Sequence, residues 1–174
     1  PVAAINLVEF EGPDAAHVEA SVAGLVESLK GPQKAFAPIG HYVAKDTQEA
    51  DALWALRKKG VGLLGKLPGR KKPAAFVEDT VVHPSRLREY IAAFRAILDA
   101  EGVRYGMFGH IDVGCLHVRP ALDMRDPEDE ARLRRISDKV CDLVHSYGGL
   151  IWGEHGKGFR SEYSPRFFGE VYPL

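Results

Sequence analysis

The chain has 174 residues, of which 45% are apolar and 27% charged, a composition typical of a globular protein with one domain, or one domain and a small appendage. Lysine and arginine number 23 and aspartate and glutamate 24, so the net charge of -1 argues against general binding to nucleic acids or anionic membranes. No apolar run approaches the roughly 20 residues of a membrane-spanning helix.

Hydrophobic periodicity, interrupted by glycine and proline, predicts alternating strands and helices. In chain order they are a strand at Ala3–Phe10, a helix from Asp14 to near Gly31, a strand at Phe36–Val43, a helix from Asp46 to near Gly60, a basic glycine-rich loop to Lys72, a strand at Pro73–Val82, a helix from Pro84 to Gly102, strands at Val103–His110 and Cys115–Val118, a helix from Asp126 to about His145, and a strand at Leu150–Trp152. The internal hairpin favours an α+β fold over an all-parallel sheet. We expect a ferredoxin-like antiparallel sheet with helices packed on one face, in a single domain over residues 1–174.

The two cysteines and the start of the chain bear on its origin. Cys115 and Cys141 are too few for the disulfide framework of a secreted protein, so we expect reduced thiols in the cytoplasm, with peripheral contact to the inner membrane left open. The chain lacks an initiator methionine and begins with a strand-like run that has no basic signal-peptide region. We therefore expect a piece of a longer protein; a processed native start is the alternative.

Two histidines flank the turn of the predicted hairpin. If Val113 and Gly114 form a two-residue turn, His110 and His117 are opposite partners with Cβ atoms about 4.5–5.5 Å apart. Both imidazoles could then bind one divalent metal. Two unrelated histidines, one in the core and one on the surface, are the alternative. Asp112 is placed at the turn, where it could orient a histidine ligand.

A second cluster, Gly-Glu-His-Gly-Lys-Gly, occupies residues 153–158. Adjacent strand residues point to opposite faces, so Glu154 and His155 can serve one site only if the backbone bends, which glycines permit. A carboxylate beside two imidazoles suits zinc, manganese or iron, and an imidazole can act as a general base near neutral pH. A glycine-rich surface turn is the alternative.

Basic residues form the third feature. Arg57, in the sequence Trp-Ala-Leu-Arg, could pair with a carboxylate through its planar fork. Seven basic residues lie between Arg57 and Lys72 with no acid among them, which permits an anionic ligand. For Lys66–Lys72 we favour a solvated basic face. The remaining histidines are assigned to surface or capping roles: His17, His41, His83 and His145.

The two histidine motifs together resemble a known family. G-H-x-D-x-G-x-L-H at Gly109–His117 and G-E-H-G-x-G at Gly153–Gly158 resemble the C-terminal domain of FAD-linked oxidases of the vanillyl-alcohol-oxidase type. The longer strings at Phe108–Pro120 and Trp152–Tyr163 are most similar to the large D-2-hydroxyglutarate-type dehydrogenases, with D-lactate dehydrogenases in the same group. Cys115 stands where the family usually has asparagine.

The resemblance implies a part of an FAD-dependent dehydrogenase that oxidises a D-2-hydroxyacid, such as D-2-hydroxyglutarate or D-lactate, by hydride transfer to flavin. The implied metal ligands are His110, His117 and Glu154, the implied base is His155, and the implied substrate-binding residues are Arg57 and Arg119. We expect the metal to be zinc.

The resemblance also implies partners outside this chain. FAD is bound mainly by a separate N-terminal domain, and the large members carry an iron–sulfur segment. Because this chain has no G-x-G-x-x-G that opens a βαβ unit, and no other flavin-binding segment is evident, we expect it to be inactive alone. A homo-oligomer is left open, and a non-catalytic metal- or anion-binding module is the alternative function.

Overall fold

The computed structural model describes residues 4–30, 38–63, 66, 68–156 and 160–169. The chain divides into two compact units, residues 1–60 and 61–174. The helices are α1 (Ala15–Leu29), α2 (Thr47–Leu63), α3 (Leu87–Ala100), α4 (Pro127–Ser146) and α5 (Ser164–Phe168), and the strands are β1 (Lys72–Pro73), β2 (Thr80–Val81), β3 (Tyr105–His110) and β4 (Cys115–Leu122). Within the described part of the chain, no helix has both the length and the apolarity needed to cross a membrane.

Aspartate caps start both helices of the first unit. The side chain of Asp14 accepts a hydrogen bond from the N–H of His17 at 2.8 Å, and that of Asp46 accepts from the N–H of Glu49 at 2.9 Å. Each cap satisfies an amide that the first turn of a helix leaves unpaired. The predicted helix starts are confirmed.

The two strands predicted for the first unit are wrong where the structure describes them. Residues 4–10 and 38–43 are not in β structure, and Ile5 and Ile39 are 78% and 84% exposed. The start of each prediction, residues 3, 36 and 37, lies outside the described residues. An apolar run becomes a strand only where a neighbour accepts its backbone hydrogen bonds, and the described part of this unit contains no such neighbour.

The second unit contains an antiparallel sheet. β1 and β2 pair with one edge of β4, and β3 pairs with the other. Leu150 bridges Val81 beyond β2, so the strand predicted at Leu150–Trp152 is reduced to one bridge. The sheet order is therefore Leu150, β1 and β2, β4, β3, which is that of a β-α-β-β-α-β ferredoxin-like arrangement. The predicted α+β fold is confirmed.

The two faces of this sheet differ in character. Leu116, Val118 and Leu122 of β4 pack in the core with buried residues of α3 and α4: Tyr90, Phe94, Leu98, Ile136, Val140 and Val144. Successive strand residues point to opposite faces. The intervening residues of β4, including His117, therefore point away from these helices, and we call the side they occupy the site face.

The strand predicted at Pro73–Val82 is interrupted in the middle. The registers of β1 and β2 against β4 differ by two residues, so the six residues 74–79 lie opposite only four residues of β4. Extra residues force a strand away from its ladder. We call residues 74–79 the bulge segment. Its last residue, Asp79, is fully buried and has φ of 68°, which is uncommon for a residue other than glycine.

Candidate active site

The β3–β4 hairpin holds both predicted histidine ligands, in a register that differs from the expected one. His110 pairs with Cys115 and Phe108 pairs with His117, so residues 111–114 form a four-residue turn. The histidines are diagonal neighbours, not opposite partners. Because this register is shifted by two residues, each side chain keeps its face. Both imidazoles lie on the site face with ring centroids 5.6 Å apart.

The conformation of the turn explains why the register differs from the expected one. A two-residue type I′ turn needs positive φ at both central residues. Gly114 has φ of 74°, but Val113 is not among the positive-φ residues of the chain's described part. The turn instead closes through a hydrogen bond from the N–H of Gly114 to the carbonyl of Ile111 at 3.3 Å.

The backbone bend required at Glu154 and His155 is present. The N–H of Gly153 donates to the carbonyl of Asp79 at 2.8 Å. The next two N–H groups, of Glu154 and His155, donate to Oδ1 and Oδ2 of Asp79 at 2.8 and 3.0 Å. Three successive amides turned toward one residue cannot alternate as they do in a strand.

Three imidazoles converge on one carboxylate oxygen. Oε1 of Glu154 lies 2.9 Å from Nε2 of His117, 3.4 Å from Nε2 of His155 and 3.5 Å from Nε2 of His110. The rings of His117 and His155 stack with centroids 5.1 Å apart. The structure thus brings the predicted metal ligands and the predicted base together, and their roles remain predictions.

The site has a buried floor and an open rim. The side chain of His117 is 4% exposed, whereas those of His110, Glu154 and His155 are 38%, 46% and 50% exposed. Burial lowers the pKa of His117, although the charge of Glu154 acts in the opposite direction. A lowered pKa favours the neutral imidazole, which is the form that binds a metal. The open rim is compatible with a cofactor approaching from outside the chain.

A divalent metal suits the donors of this site. Two imidazole nitrogens and a carboxylate oxygen are ligands typical of zinc. Asp79 and Cys115 form an overlapping set with His117 and Glu154, whose ligand atoms lie within 4.8 Å of one another. Both carboxylate oxygens of Asp79 already accept amide hydrogen bonds, and burial raises the pKa of Cys115 to about 12. The set with His110 is therefore the better donor set.

Glu78 joins His155 to an arginine. Its Oε1 lies 3.6 Å from Nδ1 of His155, and its Oε2 accepts a hydrogen bond from Nε of Arg119 at 2.8 Å. The Arg119 guanidinium also lies over the ring of Phe108, 5.5 Å from its centroid. Arg119 is thus on the site face, and its contact with substrate remains a prediction.

A cavity of about 290 Å³ lies beside His155. It is lined by Ala75, Glu78, His155, Gly156 and Arg160. Arg160 donates to the carbonyl of Glu78 at 2.8 Å and to that of Ile151 at 2.6 Å. This arginine therefore ties the bulge segment to the stretch that leads into the bend.

Sequence reasoning assigned no positioning role to Glu78, Asp79 or Arg160. The available signal was an acidic pair inside the apolar run Phe76–Val82. Carboxylates rarely enter such a run unless a partner satisfies them. The partner of Glu78, Arg119, lies 41 residues further along the chain, and the amides that bind Asp79 lie 75 and 76 residues further, where no local pattern identifies them.

Other predicted site residues lie apart from this cluster or in the other unit. Arg57 is half-buried in α2 of the first unit, where Trp54 donates to Glu9 at 3.1 Å. Its role as a carboxylate ligand remains a prediction. Asp112 lies exposed in the hairpin turn, and the carboxylates closest to the histidines are those of Glu78 and Glu154.

Part of the basic loop has a structural role. Nε of Arg70 lies 2.7 Å from Asp123, and Nζ of Lys71 lies 3.0 Å from the buried carboxylate of Asp129. These pairs join the loop to the segment at the start of α4, although both basic side chains remain exposed, as expected for a solvated face. The histidines assigned to surface roles are exposed, as expected: His17, His41, His83 and His145.

Comparison with known proteins agrees with the motifs. Residues 1–172 match the family described as FAD linked oxidases, C-terminal domain. A D-2-hydroxyglutarate dehydrogenase of Pseudomonas putida is 51% identical over 173 residues, 99% of this chain and 17% of that protein. One of Escherichia coli K12 is 52% identical over 169 residues, 95% of this chain and 16% of that protein. A D-lactate dehydrogenase of Anaerostipes hadrus is 30% identical over 95 residues, 53% of this chain and 20% of that protein.

The chain spans about one sixth of the length of the first two of these relatives. The match over nearly all of the chain confirms the resemblance seen in the histidine motifs. The chain belongs to the family of C-terminal domains of FAD-linked oxidases.

Proposed function

We propose that this chain is the substrate- and metal-binding part of an FAD-dependent dehydrogenase that oxidises a D-2-hydroxyacid to the 2-oxoacid. The observation that carries the proposal is the convergence of three imidazole nitrogens on Oε1 of Glu154, within 3.5 Å. The names of the relatives support D-2-hydroxyglutarate as the first substrate to test and D-lactate as the second.

His110, His117 and Glu154 would hold a divalent cation, with zinc as our first choice. Two nitrogens and one oxygen leave positions open for a substrate. When bound, the metal lowers the pKa of a hydroxyl that coordinates it. Burial lowers the pKa of His117, which favours the neutral imidazole that a metal binds.

His155 is the proposed base. Its Nδ1 faces Glu78 at 3.6 Å, and its Nε2 faces the donor set, 3.4 Å from Glu154. A nearby carboxylate favours the proton on Nδ1, which leaves the lone pair of Nε2 to accept the substrate hydroxyl proton. When bound, the flavin accepts hydride from C2 of the substrate.

Arginines would orient the acid. Arg57 is the proposed clamp on the substrate carboxylate, and Arg119 a second contact on the site face. Holding the acid fixed aligns its C2–H bond for hydride transfer, so that the reaction takes place within a complex that already has the required geometry. Both roles rest on the family resemblance.

The chain's small share of its relatives' length supports a flavin-binding domain elsewhere in the same protein. We place FAD binding there, along with any iron–sulfur segment, and we propose a cytoplasmic enzyme. The active unit is then the whole protein, so the tests below use the longest natural reading frame that contains this sequence.

The proposal is tested by oxidation of a panel of D- and L-2-hydroxyacids with an artificial electron acceptor. His155→Ala should lower kcat by about 10²–10⁴, the usual contribution of a general base. His145→Ala, an exposed histidine near the end of α4, is the control and should leave kcat unchanged.

Two results would contradict the proposal. Oxidation of no D-2-hydroxyacid by the flavin-loaded protein would leave the alternative of a metal- or anion-binding module. A His155→Ala enzyme with near-normal kcat would remove this residue as the base while leaving the reaction class intact.

A further inference from the structure

We infer that Asp79 is the positioning residue of this site, an inference that rests on the proposed function for the chemistry it serves. Its three acceptor oxygens, one carbonyl and two carboxylate, each accept a different amide, those of Gly153, Glu154 and His155. One residue thus sets the backbone of the segment that presents a proposed metal ligand and the proposed base.

The backbone of Asp79 is adapted to this task. Two extra residues in the bulge segment carry Asp79 away from the β4 ladder. Its φ of 68° lies in the left-handed region, and its side chain is fully buried. Such conformations persist only where their surroundings enforce them, and they cluster at functional sites.

The packing around the bend leaves little room for a side chain at position 153. A Cβ added to Gly153 would lie 2.9 Å from Sγ of Cys115 and 3.1 Å from Oδ1 of Asp79. Sγ of Cys115 itself lies 3.7 Å from Oδ1 of Asp79. Glycine at 153 therefore allows the segment to approach the carboxylate closely enough for both side-chain bonds.

Without these bonds the two side chains would separate. Glu154 and His155 are consecutive, so an extended backbone would send them to opposite faces. The bend instead places both beside His117, which is 2.9 Å from Glu154 and stacked on His155. Asp79 therefore acts through these residues and need not touch the substrate.

Asp79→Asn in the full-length protein isolates the carboxylate. Asparagine tolerates the left-handed region and keeps the volume, but its NH₂ group opposes an amide donor. We expect exchange of the amides in residues 153–155, followed by hydrogen–deuterium exchange, to rise about tenfold or more. The affinity for Zn²⁺, from competition with a chelating dye, should fall about 10–100-fold, as for other residues that orient metal ligands.

Asp129→Asn is the matched control. Asp129 is also fully buried, and its carboxylate accepts an amide, that of Asp123, and pairs with Lys71. Its loss should lower overall stability but leave both exchange at 153–155 and Zn²⁺ affinity as in the wild type. A merely structural role for Asp79 predicts that the two variants behave alike.

The outcomes separate this inference from the proposed function. Wild-type exchange and Zn²⁺ affinity in Asp79→Asn would overturn the inference. Wild-type protein that binds Zn²⁺ no better than His117→Ala would overturn the metal site, whereas faster exchange confined to 153–155 would still support Asp79 as the positioning residue. If Asp79→Asn does not fold, Gly153→Ala serves as the second variant, because its Cβ would displace the same bend. Unchanged amide exchange at residues 153–155 in Gly153→Ala would then overturn the inference.

Discussion

The histidines of the site differ in burial. His117 is buried, which lowers its pKa and favours the neutral form, whereas His110 and His155 remain accessible at the rim. A neutral buried imidazole suits binding to a metal. Exposure does not distinguish the proposed ligand His110 from the proposed base His155, but the contact of His155 with Glu78 does. At the scale of residues, the surroundings of chemically identical groups suit them to different proposed tasks.

The arginine proposed to hold the substrate carries a prediction at this scale. Arg57→Lys keeps the positive charge but loses the planar fork that matches a carboxylate. We expect KM for the hydroxyacid to rise roughly tenfold, about 1.4 kcal/mol of binding. Steady-state kinetics of the full-length enzyme measure this change. Arg134→Lys, at an exposed surface pair, is the control and should leave KM as it was; the same KM in both variants would remove Arg57 as the clamp.

The residues of the site were only partly predictable from the sequence. His110, His117, Glu154 and His155 were found because their motifs are local and flanked by glycines. Asp79 was not assigned a role, because its partners lie 75 and 76 positions away and depend on a bulge that no periodicity reveals. A backbone amide can donate to a distant side chain whatever its own residue type, so such hydrogen bonds cannot be predicted from the local sequence.

At the scale of elements, the hairpin shows which part of a prediction is robust. The assumed two-residue turn was wrong, yet His110 and His117 share a face, since the real register differs from the assumed one by an even number of residues. Side-chain direction depends only on parity, whereas register depends on turn conformation. The pattern of alternation therefore predicts a face more securely than it predicts a pairing.

Substitutions at two glycines with positive φ distinguish the cost of backbone strain from the cost of a steric clash. Gly102 and Gly114 have φ of 66° and 74°, but a Cβ at Gly102 meets nothing within 4 Å, whereas one at Gly114 would collide with the carbonyl oxygen of Val82. Gly102→Ala should cost about 1–2 kcal/mol of stability. Gly114→Ala should cost about 1–3 kcal/mol more, because the turn must move away from Val82.

Urea unfolding of both variants measures the difference. Equal losses would show that the turn relaxes freely and does not fix the hairpin against β2. A larger loss in Gly114→Ala, accompanied by weaker Zn²⁺ binding, would tie the position of the turn to the site.

At the scale of the whole molecule, the two units differ in what they bury. The second unit has a continuous core built from α3, α4 and the sheet, whereas none of the residues of α1 is buried. The strands predicted from apolar runs were correct more often in the second unit, where this core lies. In the first unit, strand-like runs met no pairing partner among the described residues and stayed outside β structure.

Matched isoleucines test this contrast. Ile136 is fully buried in α4, and Ile39 is 84% exposed in the first unit. In the 174-residue chain, Ile136→Ala should cost about 2–5 kcal/mol of unfolding free energy, and Ile39→Ala should change it by less than about 0.5 kcal/mol. Denaturant titration gives both values, and similar losses would mean that Ile39 is covered in solution.

The contact between Asp79 and Glu154 closes a loop of 75 residues that contains α3, the hairpin and α4. Such a contact is non-local in the strict sense, and its entropy cost is met only once the intervening chain is ordered. The site therefore depends on the folding of the whole intervening segment. If α3 or α4 unfolds, the contact between Asp79 and Glu154 is lost and the site is no longer assembled. In the full-length protein, the proposed activity and the cooperative melting of this unit should then decline together, with no half-folded species retaining turnover.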